Sequence, residues 1–297
     1  MKNTILLFIA LFASTYLFGQ DNNFVLLQKN WNKLLNTDSE IEKDYYHKSL
    51  KGQLSNYISP SGGKKDLSQL ENFKDLWSSD SSLRIVSYFF QRNEDDFVIG
   101  GALYCNCGQK VNGQNFIHTA LLEEDSFKIR RDTTYSEQYW PAAWYYKIIE
   151  KENRFGQKYF TLIGWIPKNR ISQQKIVDIL WFKGEDIFFG APLFEREGSR
   201  EHRLLFEYGA QNTMRLSYQE EQDRIIMDHL SPPGAEYQGI YEYYGPDFSF
   251  DSFKWENDRW MYHPDVDVDE GIEKKKSDFK KKDKILEDKP IYTPNGN

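Results

Sequence analysis

The residues able to do chemistry are few and scattered. Three carboxylates alternate in His263-Pro264-Asp265-Val266-Asp267-Val268-Asp269-Glu270-Gly271, and oxygen ligands of this kind suit calcium. The register of a calcium loop fails, however. Its sixth position is Glu270 where glycine is needed, and its twelfth is Lys276 where a bidentate Glu belongs. Asp265, Asp267 and Asp269 are thus weak metal candidates, and an acidic strand end is the simpler reading. The five histidines, His47, His118, His202, His229 and His263, show no HExxH or paired spacing. Asp228-His229-Leu230-Ser231 has the residue types of a triad. Neighbours in a strand point to opposite faces, so Asp228 is a poor orienter for His229. A hydrogen-bonded, structural His229 is expected.

Glycosidase chemistry needs two carboxylates that meet only in three dimensions. Asp178, Asp228 and Asp247, each in or beside a strand, are where such a pair would be sought. No Gly-x-Ser-x-Gly elbow is present, and Gly164, Gly190 and Gly245 read as strand-end or turn glycines rather than a phosphate cradle. Cys105 and Cys107, the two cysteines, are separated by one residue. A bridge between them would close a small ring, so ordinary thiols or a structural bridge are preferred to a redox pair. Nothing here calls for a cofactor. Tyr241, Tyr243, Tyr244, Phe248, Phe250, Phe253, Trp255, Trp260 and Tyr262 form a dense aromatic run. Alternate members must face inward. Any that face outward together, with Trp255, Trp260 and Tyr262 the candidates, could stack sugars or a partner's apolar groups.

The elements that position these residues are mostly strands. Of 297 residues, 16% are aromatic, 21 Phe, 19 Tyr and 8 Trp, which suits pleated, half-buried surfaces. Trp144–Ile149 and Lys158–Trp165 flank a polar loop containing Gly156, and Lys175–Phe182 is followed by a Lys-Gly-Glu-Asp turn and Ile187–Gly190. These are hairpins. Residues 175–182 are apolar on both faces, which places them inside a sandwich, a thick barrel or a covered sheet. Further strands are expected at Leu83–Gln91, Phe97–Cys105, Asn115–Glu123, His202–Tyr208, Thr213–Tyr218, Arg224–Leu230, Phe248–Trp255 and Arg259–Tyr262, with Ser126–Gln138 a loop. Before them, Phe24, Leu27, Trp31, Leu34 and Leu35 have helical spacing, and a second helix is expected over about 39–58. A third should start at Asp66, with Gln69 completing a capping box and Leu67, Leu70, Phe73 and Trp77 on one face. The fold class is mainly β: a meandering antiparallel sheet, sandwich- or barrel-like, after a short α-helical N-terminal region.

The domain plan follows. Residues 1–20 read as a signal peptide, with Lys2 as the basic start, Ile5 to Phe18 as the apolar stretch and Gly19 near the cleavage point. Residues 21–80 are the helical segment and 81–270 the antiparallel β domain. Residues 271–297, with eight lysines set among acids, form a flexible tail. The formal charge of −7 argues against nucleic acid as a partner. No later run is long enough to span a membrane, so an exported protein, periplasmic or extracellular, is expected.

Several blocks carry a resemblance. They are Tyr145-Tyr146-Lys147-Ile148-Ile149, Tyr159-Phe160-Thr161-Leu162-Ile163-Gly164-Trp165 and Lys175-Ile176-Val177-Asp178-Ile179-Leu180, with Phe189-Gly190-Ala191-Pro192-Leu193-Phe194, Asp228-His229-Leu230-Ser231-Pro232 and Tyr244-Gly245-Pro246-Asp247-Phe248-Ser249. In this order they resemble a set of uncharacterised exported proteins of Bacteroidetes, over roughly the last two-thirds of the chain after Leu83. The resemblance implies an envelope setting and no particular activity. The expected function is a non-enzymatic envelope protein that binds or scaffolds, its partner an envelope protein or polysaccharide. The alternative is a hydrolase of an envelope or environmental polymer with paired carboxylates.

Overall fold

Strand pairing around the apolar run at 175–182 dictates the architecture. A computed structural model describes residues 22–59, 63–94, 96–106, 110–111, 114–115, 118–123 and 129–268. Helix α1 (22–35) buries Phe24, Leu27, Trp31 and Leu34, the residues at helical spacing. Helix α2 (Glu40–Ile58) starts at Ser39, whose side chain accepts the Glu42 N–H, with Glu40 and Glu42 in the favourable first turn. It buries only Leu50, Leu54, Tyr57 and Ile58 near its end, whereas Ile41 and Tyr45 stay exposed.

Three sheets follow. The first consists of β1 (Phe73–Trp77), β2 (Leu83–Gln91), β3 (Phe97–Cys105) and β6 (His118–Glu123), paired in that order, with a small ribbon of β4 (Lys110–Val111) and β5 (Gln114–Asn115) between β3 and β6 in sequence. The central sheet runs β7 (Tyr135–Ser136), β11 (Asp186–Phe189), β10 (Ser172–Lys183), β9 (Lys158–Pro167) and β8 (Trp144–Glu152), and β14 (Leu204–Gly209) also pairs with β10. The outer sheet is β13 (Ser199–Glu201), β12 (Phe194–Arg196), β18 (Arg259–His263), β17 (Gly245–Glu256), β16 (Arg224–Ser231) and β15 (Leu216–Gln219). Among the described strands, β12 lies parallel to β18 and the other pairs are antiparallel.

Three cores hold these layers together. Trp31, Leu50, Leu54 and Tyr57 of the helices meet Phe73, Val86, Tyr88 and Phe90 of the first sheet. The opposite face of that sheet, with Ile85, Ile99 and Leu103, meets Tyr145, Leu162, Ile176 and Leu180 of the central one. The other side of the central sheet, Ile163, Val177 and Ile179, packs on Leu216, Ile225, Met227, Phe253 and Trp260 of the outer sheet. The central sheet is therefore covered on both faces, which is why β10 is apolar on both sides. The fold is mainly β with a helical start, as the composition indicates, and its antiparallel strands lie in sandwich-like stacked sheets.

Residues 66–77 correct the sequence reading. Asp66 does cap, accepting the Ser68 N–H, but over a short 3-10 turn, Leu67–Gln69, and the chain then enters β1 instead of a third helix. A helix with Leu67, Leu70, Phe73 and Trp77 on one face would bury Trp77, which is 44% exposed. Pairing of Phe73–Trp77 with Arg84–Tyr88 supplies a ladder that the local capping signal cannot match. Ser126–Gln138, expected as a loop, contributes β7 at its end. Cys105 closes β3, is buried, and is disulfide-bonded rather than a free thiol, while Cys107 lies outside the described residues. The tail at 271–297 and the signal-like segment at 1–20 also lie outside them.

Candidate functional site

The end of the β16–β17 hairpin gathers most of the unusual residues. The two strands pair with a register shift between Asp228 and Leu230, so His229 sits on a β-bulge. A bulge re-aims one side chain, and here it turns the imidazole toward β17: His229 Nδ1 lies 2.8 Å from Asp251 Oδ2. Asp251 is itself held, accepting the Asp265 N–H at 3.3 Å and a hydrogen bond from Tyr262. Burial, helped by that carboxylate, pushes the Tyr262 hydroxyl up to about 12. The hydrogen bond to Asp251 raises the His229 pKa, with Asp247 and Asp265 adding in the same direction and partial burial opposing. An imidazole oriented at one nitrogen and half-exposed at the other can move protons. The hydroxyls nearby do not complete a nucleophilic triad, because Ser249 donates to Asp247 at 2.7 Å and Ser231 also bonds Asp247. Asp228 points elsewhere, accepting the Arg215 N–H at 2.5 Å. The orienting residue is thus Asp251, 22 positions along the chain, and spacing alone could not have found it.

Between β16 and β17 the chain makes an excursion built from two 3-10 turns, Ala235–Tyr237 and Tyr241–Tyr243. Its rings pack on each other: Tyr237 and Tyr243 have centroids 4.6 Å apart, and Tyr241 and Tyr244 5.1 Å. The excursion is tied down where Tyr244 C=O accepts the Gly209 N–H at 3.0 Å and Asn212 Nδ2 at 2.9 Å. Ile240, Tyr241 and Tyr243 nevertheless remain exposed. Just beyond, Phe248 is 94% exposed and has φ of 73°. A bulky residue in the left-handed region is strained, and a fully exposed one has no packing to justify it.

The other sequence candidates fall apart in different ways. Of Trp255, Trp260 and Tyr262, Trp260 is fully buried and donates its Nε1–H to Thr161 Oγ1 at 3.0 Å. It cannot meet a ligand. Trp255 packs edge-on against Trp260, and the half-buried Tyr262 ring is covered by Arg196 at 4.4 Å. The outward aromatics are instead Tyr241, Tyr243 and Phe248. Asp178, sought as a hydrolytic acid, is fully buried and paired with Arg203 at 3.2 Å. Burial raises its pKa against the pull of Arg203 and the Ile179 N–H. Asp265 and Asp267 belong to a segment strapped to the outer sheet, where Arg224 donates to Asp267 C=O at 2.7 Å, while Asp269 lies outside the described residues. Among the described residues no three His, Cys, Asp or Glu groups converge to hold a metal ion. His47 pairs with the Tyr88 hydroxyl and His202 with Thr134, both as parts of packed surroundings.

No family model, curated protein or solved structure matches this chain.

Proposed function

We propose that the chain is an exported β-rich protein of a bacterial envelope that acts by binding rather than by catalysis. The observation that carries the reading is Phe248, almost wholly exposed in a strained conformation, in the same stretch of chain as the exposed Ile240, Tyr241 and Tyr243. Strain of this type costs about 1–3 kcal/mol, and covering an exposed Phe with a partner returns about 1.5–3 kcal/mol. Export is supported by Lys2 and the apolar stretch from Ile5 to Phe18. No described helix is long and apolar enough to cross a membrane. The partner is an envelope protein or polysaccharide.

The test is retention of envelope components by immobilised protein, with Phe248→Ser and Tyr243→Ser as comparisons. A component held by the unaltered chain and lost with both substitutions supports the reading, and equal retention by all three sinks it. Fractionation with N-terminal sequencing of the mature chain checks export. A second reading, a polymer hydrolase, is favoured by one observation, the imidazole of His229 oriented by Asp251. It requires polysaccharide turnover that disappears in His229→Ala.

A further inference from the structure

The aromatic excursion forms one wall of a cleft. Its volume is about 700 Å³, within the range of small-ligand sites. The floor is β10 and β14, represented by Gln174 and Glu207; the other walls are Arg130 and Asp132 from the segment before β7 and Lys168 from the β9–β10 turn. Tyr241 stands at the rim, 49% exposed. Five parts of the chain thus converge on one hollow.

The polar groups come as oriented donor–acceptor pairs. Arg130 faces Asp132 through two parallel contacts of 3.0 and 2.9 Å. Lys168 bridges both oxygens of Glu207 at 2.8 Å, and Ser172 supports Glu207 from beneath at 2.9 Å. Exposed pairs of this kind hold each other weakly, yet each partner keeps N–H groups or lone pairs for a ligand. The Gln174 side-chain amide makes no hydrogen bond to any described residue, which leaves both a donor and an acceptor on the floor.

We infer that this cleft binds a short oligosaccharide, its hydroxyls met by Arg130, Asp132, Lys168, Glu207 and Gln174 and a ring stacked on Tyr241. Sugar hydroxyls donate and accept together, which is what the interleaved charges and the free amide offer. A nucleic acid backbone would meet Asp132 and Glu207 as well as the cations. An extended peptide would need the open edge of β14, but that edge is closed at both ends: Leu205 C=O accepts Arg131 Nη2, and the Gly209 N–H donates to Tyr244 C=O. Only the backbone at 207 is left between them, too short for an added strand.

This inference rests on the binding reading and names its ligand class. Calorimetric titration of the full chain uses cellohexaose, laminarihexaose, mannohexaose, chitohexaose and hexagalacturonate as probes. At least one should bind, with affinity reduced tenfold or more in both Tyr241→Ala and Gln174→Ala while the melting temperature of the Gln174 variant stays put. Phe155→Ser, exposed on the β8–β9 loop outside the cleft, should leave the titration unchanged. Binding of none of the five, or binding that survives both cleft substitutions, overturns the inference. If the Phe248 surface still retains an envelope component in that case, the binding reading stands without the saccharide. If a sugar binds but envelope retention is indifferent to Phe248 and Tyr243, the cleft stands and the aromatic surface falls.

Discussion

Arg203 ties several parts of the chain together. It is fully buried with Asp178, and its guanidinium also donates to Arg130 C=O and Thr133 C=O, both at 2.6 Å, and to Phe189 C=O at 3.0 Å. The group lies 4.7 Å over the Tyr135 ring. One side chain therefore fastens the segment before β7 to β10 and β11, and so holds a wall of the cleft. Gly190 must be glycine for the same reason: its φ is +90° and a Cβ would sit 2.4 Å from Arg203 Nη2. Arg203→Ala leaves a buried carboxylate without its cation, so a loss of about 3–5 kcal/mol is expected, read as a lowered urea midpoint. His229 gives a different prediction. Its folded pKa is raised by Asp251, so the pair's contribution to stability is complete below the unfolded value of about 6.5 and is lost as pH rises through the raised folded value. Melting temperature against pH should show this decline as pH rises above about 6.5 in the unaltered chain, and His229→Gln should remove it. The same slope in both proteins would mean that another group is responsible.

At the scale of elements, local signals were reliable wherever the neighbours agreed with them. Leu83–Gln91 and Phe97–Cys105 end where their side-chain pattern and flanking polar residues place them. The helix expected over about 39–58 forms as α2, with Ser39 capping its start. Asp66 is the exception, because β1 gains a full ladder with β2 and a buried ion pair: Arg84 reaches Asp75 at 2.7 Å, with both side chains almost wholly enclosed. Capping was legible there, but what followed the cap was decided by the partner strand. The outer sheet's attachment is likewise a pairing of elements. Trp260 of β18 plugs into the central sheet and reaches Thr161 of β9. Trp260→Ala should cost about 3–5 kcal/mol. Trp260→Phe should cost less, since it keeps most of the volume and loses the hydrogen bond. Chemical denaturation of the two variants checks the order.

The whole molecule is a stack in which each inner layer needs covers on both sides. The helices are one such cover, lying over Val86, Tyr88 and Phe90 of the first sheet. A chain lacking residues 22–58 should therefore expose that face, bind an apolar dye such as ANS and lose soluble yield. A monomeric, dye-silent product would show that the helices are dispensable to the stack. The amino-acid sequence by itself determined the strand-rich class, most strand positions, the helical start and the two-faced apolar character of β10. These follow from periodicity and turn chemistry, which act over a few residues. Only the tertiary structure decided how strands divide among sheets, which carboxylate meets His229, why Asp178 is sealed beneath Arg203, and which aromatics face out. Alternation shows that a side chain has a face, but what covers that face is set by elements far along the chain. The cleft shows this most clearly, since Arg130, Lys168, Gln174, Glu207 and Tyr241 share no spacing and meet only because β10, β14 and the excursion pack together.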